Sequence, residues 1–312
     1  MKYILIILRL SVLGLLLTKN AYSFSASRFE NETCPQTLQE RSNGYYSVRP
    51  PLVFQGDDTT VLQKVTGPEG RFYQAYNSQM TVRLEGDLAS IEDFVVYQED
   101  LWLLSDGELL QFSSQGRLLN RYRYPHWERY EKPLGLEYYE NSLIIAHGKL
   151  GLVQFDLKSQ EFSFLSPVNT WQEDDRRSMA VAVTVFEGKA YVALTGLQQG
   201  SFNGVVSYDL SSGEILNSAR YRNGREGVID PRAKIYAHAG DIFLNNGGWI
   251  HRHEIKDLLR RRNAKPYWMS IPYQSGNLNR FLMIRGDFVF DGGAILGCAI
   301  NERTPIFAKR IL

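Results

Sequence analysis

His251 and His253 stand two residues apart in Trp249-Ile250-His251-Arg252-His253, a run that alternates as a strand does. Alternation puts both imidazoles on one side, the spacing by which a strand offers two nitrogens to a transition metal. No third ligand is identifiable in the sequence, so the preferred reading is a pair on the surface of an outer strand. Other chemistry is absent by pattern. Gly200-Ser201-Phe202-Asn203-Gly204 carries Phe where a nucleophile elbow needs Ser, and His253-Glu254 lacks the second His of a zinc-protease helix. Neither Cys34 nor Cys298 lies in a CxxC or beside a His or Asn that would make it a nucleophile.

The elements that must hold any site are short apolar runs split by tight turns. From Val95 to Tyr124 the chain gives FVVYQ, LWLLS, ELLQF and RLLNRYRY, separated at Glu99-Asp100, Asp106-Gly107 and Ser113 to Gly116. Runs of Val, Leu, Tyr and Phe joined by polar or glycine turns predict a four-stranded antiparallel meander. The turn after the first strand recurs at Gly56-Asp57, Glu99-Asp100, Glu140-Asn141, Glu187-Gly188, Gly240-Asp241 and Gly286-Asp287, in steps of 41 to 53 residues. A second mark, a polar residue and then glycine, follows at Thr66-Gly67, Asp106-Gly107, His147-Gly148, Thr195-Gly196, Asn246-Gly247 and Asp291-Gly292. Asp-Gly and Asn-Gly supply the positive φ that a two-residue hairpin turn requires. A period of this length belongs to propeller blades.

The fold expected is therefore all-β: a six-bladed β-propeller of four-stranded antiparallel meanders over residues 47–312, with five or seven blades as alternatives because the stretch Pro51 to Asp87 repeats most weakly. Blade five carries an insertion, EIKDLLRRRNAKP, predicted to form one or two helical turns. Its Arg260-Arg261-Arg262 run reads as a solvated face.

Two stretches, LVQFDLKSQE (Leu152 to Glu161) and VVSYDLSSGEI (Val205 to Ile215), place an Asp after an alternating strand and a Ser- or Gly-containing turn before the next. Here the chain resembles the YVTN and quinoprotein-like propeller repeats, whose hairpins carry V-x-x-D-L-x-T-G-E. The resemblance spans roughly residues 50–312 as a pattern and implies a fold, not an activity.

In that fold the turns between second and third strands, together with the blade-to-blade connections, surround one mouth of the channel. The connections hold Trp127, Arg129, Trp171, Arg176, Arg225 and Arg232, and Trp and Arg anchor recognition surfaces. These six are the expected ligand-binding residues. The plainer readings are that Asp174-Asp175-Arg176-Arg177 neutralises itself at the surface and that Trp127 and Trp171 lid the blades. Propellers of the gluconolactonase and paraoxonase type bind a divalent metal at this mouth. No local motif of that type occurs in the sequence, but by analogy of geometry Asp106, Asn246 and Asp291 would be calcium ligands and His147 or His238 the base, in a lactonase or esterase. Turn geometry alone also accounts for Asp and Asn before Gly.

Composition narrows the partners. With 35 basic and 34 acidic residues in 312, the net charge of +1 supplies no drive toward nucleic acid or an anionic membrane. Residues 1–23 read as a signal peptide: Lys2, an apolar run from Ile4 to Leu17 broken by Arg9, and Ala21-Tyr22-Ser23 as the cleavage site. An uncleaved anchor is the alternative. No later stretch is apolar enough to span a bilayer, so no integral span is expected after cleavage. Residues 24–46 read as an N-terminal arm. In an oxidising compartment Cys34 and Cys298 would pair to fasten the ends of the ring, worth about 5 kcal/mol in a chain-entropy account. Two buried thiols are the alternative. The function expected is a secreted or periplasmic binding or scaffold module that recognises a protein, peptide or glycan. No cofactor is assigned beyond the calcium of the hydrolase alternative.

Overall fold

The structure, a computed structural model, describes residues 46–47, 52–55, 59–67, 70–76, 81–88, 90–123, 133–166, 178–196, 202–221, 228–246, 249–260, 268–269, 282–285, 288–291 and 308–310. These residues form six antiparallel sheets, each built from strands consecutive in sequence. Sheet 1 joins β1 (Tyr46–Ser47) and β2 (Leu52–Gln55), both paired to β3 (Thr59–Gly67), and continues through β4 (Gly70–Tyr76) to β5 (Thr81–Arg83). Sheet 2 is the expected meander, β6 (Asp93–Tyr97), β7 (Asp100–Ser105), β8 (Glu108–Phe112) and β9 (Leu118–Arg123). Sheet 3 runs β10 (Gly135–Tyr139), β11 (Ser142–His147), β12 (Gly151–Asp156), β13 (Glu161–Ser166). Sheet 4 runs β14 (Ser178–Phe186), β15 (Lys189–Gly196), β16 (Gly204–Asp209), β17 (Ile215–Arg220). Sheet 5 has β18 (Lys234–His238), β19 (Asp241–Asn246) and β20 (Trp249–Glu254), then the expected short helix α1 (Ile255–Arg260) before β21 (Trp268–Met269). Sheet 6 shows β22 (Leu282–Arg285), β23 (Phe288–Asp291) and β24 (Ala308–Arg310).

The second strands explain how the sheets pack. Along β7, Leu101 and Leu103 join a core with Leu62 and Ala75 of sheet 1, while Trp102 and Leu104 join one with Leu143 and Ile145 of sheet 3. β11 repeats this, with Leu143 and Ile145 turned to sheet 2, Ile144 and Ala146 to sheet 4. In β15, Ala190 and Val192 face sheet 3, and Tyr191 and Ala193 face sheet 5. A strand covered on both faces needs a continuous apolar run, which is how DLWLLS, SLIIAH and KAYVALTG are written.

The first strands of successive sheets lie against each other: β2 by β6, β6 by β10, β10 by β14, β14 by β18 and β18 by β22. β22 in turn lies by β2. At Gly135 a Cβ would stand 2.7 Å from Ala182 Cα, so only glycine fits there between β10 and β14.

Several turns fall one residue from the expected place. Tyr97 pairs with Asp100, so the loop is Gln98-Glu99, with φ of 49° and 71°. His238 pairs with Asp241, which makes the loop Ala239-Gly240, and Asn246 pairs with Trp249. Both Asp residues belong instead to strands, where each has a cross-strand partner: Asp100 accepts from Gln111 Nε2 at 2.6 Å and Asp241 holds the Arg252 guanidinium. Asp106-Gly107 and Glu187-Gly188 stand as expected, with positive φ at both positions.

Candidate functional site

Polar side chains rising from the apolar inner strands form one connected set. Lys234, the first residue of β18, is buried and places Nζ 2.7 Å from Asp93 Oδ1 and 3.2 Å from Glu92 O, next to sheet 2. Asp93 Oδ2 also accepts from the backbone N–H of Leu136 in sheet 3, at 3.0 Å. One residue along β10 from that point, Glu137 Oε2 accepts from Thr184 Oγ1 of β14 at 3.1 Å. Thr184 Oγ1 accepts in turn from Ala237 N of β18 at 3.2 Å. Sheets 2, 3, 4 and 5 are thus tied at their first strands by one ion pair and four hydrogen bonds that include side chains. An inner strand has one edge without a ladder partner, and buried backbone N–H groups there need an acceptor. Asp93 and Thr184 provide it.

Electrostatics inside this set are uneven. Lys234 and Asp93 compensate one another, whereas Glu137 has no cation beside it among the described residues. Burial pushes the Glu137 carboxyl up to about 7; hydrogen bonds from Tyr138 N and Thr184 oppose the shift, and the Asp93 charge adds to it. Glu137 is half-buried. Tyr236, two residues after Lys234, is held well above the usual phenol value by burial and by the charges of Asp93 and Glu137. A carboxyl titrating near neutrality can exchange a proton, and the hydroxyl beside it is that of Thr184.

At the loop-rich end of sheets 4 and 5, polar side chains staple loops. Asn203 Oδ1 accepts from Gly196 N at 3.0 Å and Ile229 N at 3.3 Å. Asn246 Oδ1 accepts from Asp230 N at 2.7 Å and its Nδ2 donates to Val228 O at 3.2 Å. Arg232, an expected ligand-binding residue, makes a two-pronged pair with Asp230, Nε–Oδ1 at 3.0 Å and Nη2–Oδ2 at 3.2 Å, with 37% of its side chain exposed.

The other expected site residues are dispersed. Asp106 is exposed in a positive-φ turn of sheet 2, and Asp291 ends β23 opposite Leu282. His147 is buried at the end of β11 where the second strand meets the third; burial lowers its imidazole to about 4. His238 closes β18 at the turn between first and second strands, the opposite end of a meander. The two proposed bases therefore serve different ends. Among the described residues no group of three or more His, Cys, Asp or Glu could hold a metal ion. Trp127, Arg129, Trp171, Arg176, Arg225, Cys34 and Cys298 lie outside the described residues, as do the signal peptide and nearly all of the arm.

His251 and His253 correct the sequence reading. They are buried, 0% and 1% exposed, because β20 is the third strand of its sheet, and Tyr221, which follows the last strand of sheet 4, and α1 pack against it. His253 Nε2 meets the Tyr221 hydroxyl at 2.6 Å, and the Tyr221 ring lies 5.0 Å from that of His251 and 5.6 Å, stacked, from that of His253. Both imidazoles are pushed down, His251 to about 4 by burial and His253 to about 3 by burial and its neighbour's charge.

Sequence reasoning missed Asp93, Glu137, Thr184, Lys234 and Tyr236. The available signal was a charged or hydroxyl residue in otherwise apolar first strands, one per sheet or two.

No known protein family matches the chain, and no curated protein does. Solved structures similar to it include the computationally designed Ika8 protein, at 11% identity and TM-score 0.49, covering 86% of each chain. The computationally designed Ika4 protein matches at 14% identity and TM-score 0.40, over 57% of this chain and 98% of its own. BamB from Moraxella catarrhalis matches at 11% identity and TM-score 0.45, over 77% of this chain and 80% of its own. Among the described residues no helix is long and apolar enough to cross a membrane.

Proposed function

We propose that the chain is a secreted or periplasmic six-bladed β-propeller that works as a binding or scaffold module, taking a protein, peptide or glycan at the loop-rich end of its sheets. Closure into a ring is supported by the cycle of first-strand neighbours from β2 through β22 and back to β2. The observation that carries the binding reading is the use of polar groups. Asn203, Asn246 and Asp230 spend their side chains on loop backbone and on Arg232, which fixes the shape of a surface. Export rests on the signal-peptide pattern of residues 1–23.

A calcium-dependent lactonase or esterase finds less support. Asn246 Oδ1, its intended ligand atom, already accepts from Asp230 N, and His147 and His238 sit at opposite ends of their meanders. Capture from a native envelope extract tests the binding reading with wild type, Trp127→Ala and Arg232→Ala. Loss of the captured partner by either variant supports this end as the site. Unchanged capture by both counts against it.

A further inference from the structure

The third strands of sheets 2 to 5 align through their partners on the second strands, and the alignment isolates the two histidines. Opposite Leu101, Leu143, Ala190 and Ile242 stand Phe112, Phe155, Tyr208 and His253. Opposite Leu103, Ile145, Val192 and Leu244 stand Leu110, Val153, Val206 and His251. Two core positions that are aliphatic and aromatic in three sheets are thus both imidazole in the fourth. It is also the sheet that carries α1, whose Ile255 and Leu258 pack into the same core as Tyr221.

Among the described residues, Nδ1 and Nε2 of His251 and Nδ1 of His253 have no hydrogen-bond partner, although both side chains are fully buried. Buried polar atoms are nearly always satisfied, and exceptions call for a ligand or a function. Plain core packing would have been served by the residues the sister sheets use.

We propose that His251, His253 and Tyr221 form a buried site for a divalent transition metal of the zinc class, between sheets 4 and 5. The ligands are two neutral imidazole nitrogens and one phenolate oxygen, with a water molecule as the fourth. Both imidazoles project from one face of β20, and Tyr221 reaches the same space from the end of β17. Ligands of a tetrahedral zinc at about 2.0–2.1 Å stand roughly 3.3 Å apart. The metal therefore parts the 2.6 Å contact of His253 Nε2 with the Tyr221 hydroxyl and takes its place, and its second nitrogen ligand is one of the two His251 nitrogens that have no hydrogen-bond partner among the described residues. Coordination of the phenol releases its proton to solvent, so uptake of one Zn²⁺ liberates one H⁺ from Tyr221. Oxygen-seeking calcium is excluded by the nitrogen ligands. The site is independent of the binding surface proposed above.

The test uses the full mature chain, stripped with chelator and titrated with Zn²⁺ alone or Ca²⁺ alone at pH 7.5, by calorimetry in two buffers of different ionisation enthalpy and by thermal melting. The key variant is His251→Val/His253→Phe, which installs residues the sister sheets carry at these positions. The expected result is one Zn²⁺ per wild-type chain, a melting temperature raised by several degrees at a hundredfold excess over Kd, about one proton released and no response to Ca²⁺. The double variant should remain folded by circular dichroism and show no zinc response; Tyr221→Phe should bind at least tenfold more weakly without proton release. Absence of zinc binding by the wild type, or equal binding by the folded double variant, overturns the proposal.

Discussion

Acid should loosen the junction of sheets 4 and 5 by an amount that can be worked out. In the metal-free chain His251 and His253 are neutral, with imidazoles lowered to about 4 and about 3 by burial. Once unfolded they return to about 6.5. The unfolded chain takes up protons that the folded chain refuses, so stability falls as pH drops below about 6.5. The loss levels off only near pH 4 for His251 and pH 3 for His253. At pH 5 an unfolded imidazole of pKa 6.5 is almost wholly protonated, which favours unfolding by about 2 kcal/mol per residue, or about 4 kcal/mol for the pair. That is a large share of the 5–15 kcal/mol typical of a domain. Urea unfolding of chelator-treated protein at pH 7.5 and pH 5, for wild type and His251→Val/His253→Phe, checks the figure. The variant should lose about 4 kcal/mol less than wild type between the two pH values, the remainder including His147, whose imidazole is lowered to about 4. Equal losses would refute the account of a buried neutral pair.

Four further outcomes follow from the geometry. Glu137→Gln keeps an acceptor for Thr184 and removes a carboxyl pushed up to about 7, so it should stabilise the fold by up to about 3 kcal/mol at pH 8 and by little at pH 4.5; denaturant curves at both pH values decide. Lys234→Met strands the Asp93 carboxylate and should cost about 3–5 kcal/mol, much of it recovered in Asp93→Asn/Lys234→Met. Gly135→Ala pushes a methyl group against Ala182 Cα between two inner strands and should cost about 1–3 kcal/mol, seen as a lower melting temperature. Glu99→Gly relieves a left-handed non-glycine residue in an exposed turn, and should raise stability by up to ~1 kcal/mol in the same melts.

The meander of sheet 2 was legible because its apolar runs and Asp106-Gly107 each say the same thing, and α1 because Leu258 and Leu259 interrupt the strand rhythm. Turn positions slipped where an Asp beside the loop looked like a turn former. Asp100 and Asp241 had better uses across the strand, to Gln111 and Arg252, and no local pattern distinguishes those uses. The inner polar set was hidden for a different reason. Lys234 and Asp93 acquire meaning only together, and sequence alone does not say that the first strand of sheet 5 comes back to that of sheet 2. The histidine pair was misplaced because alternation fixes which residues share a side but not what covers that side. Only the position of β20 inside its sheet, and the packing of Tyr221 and α1 against it, turns His251 and His253 inward.

Every sheet is made of neighbours in sequence, yet Lys234 reaches Glu92 across 142 residues. Hairpins close short loops and assemble quickly, while a contact of such long range must wait until most of the intervening chain is in place. We expect the ammonium to engage late in assembly. Removing it should leave the refolding rate nearly unchanged and speed unfolding, so this clasp sets how long the finished molecule persists more than how readily it forms.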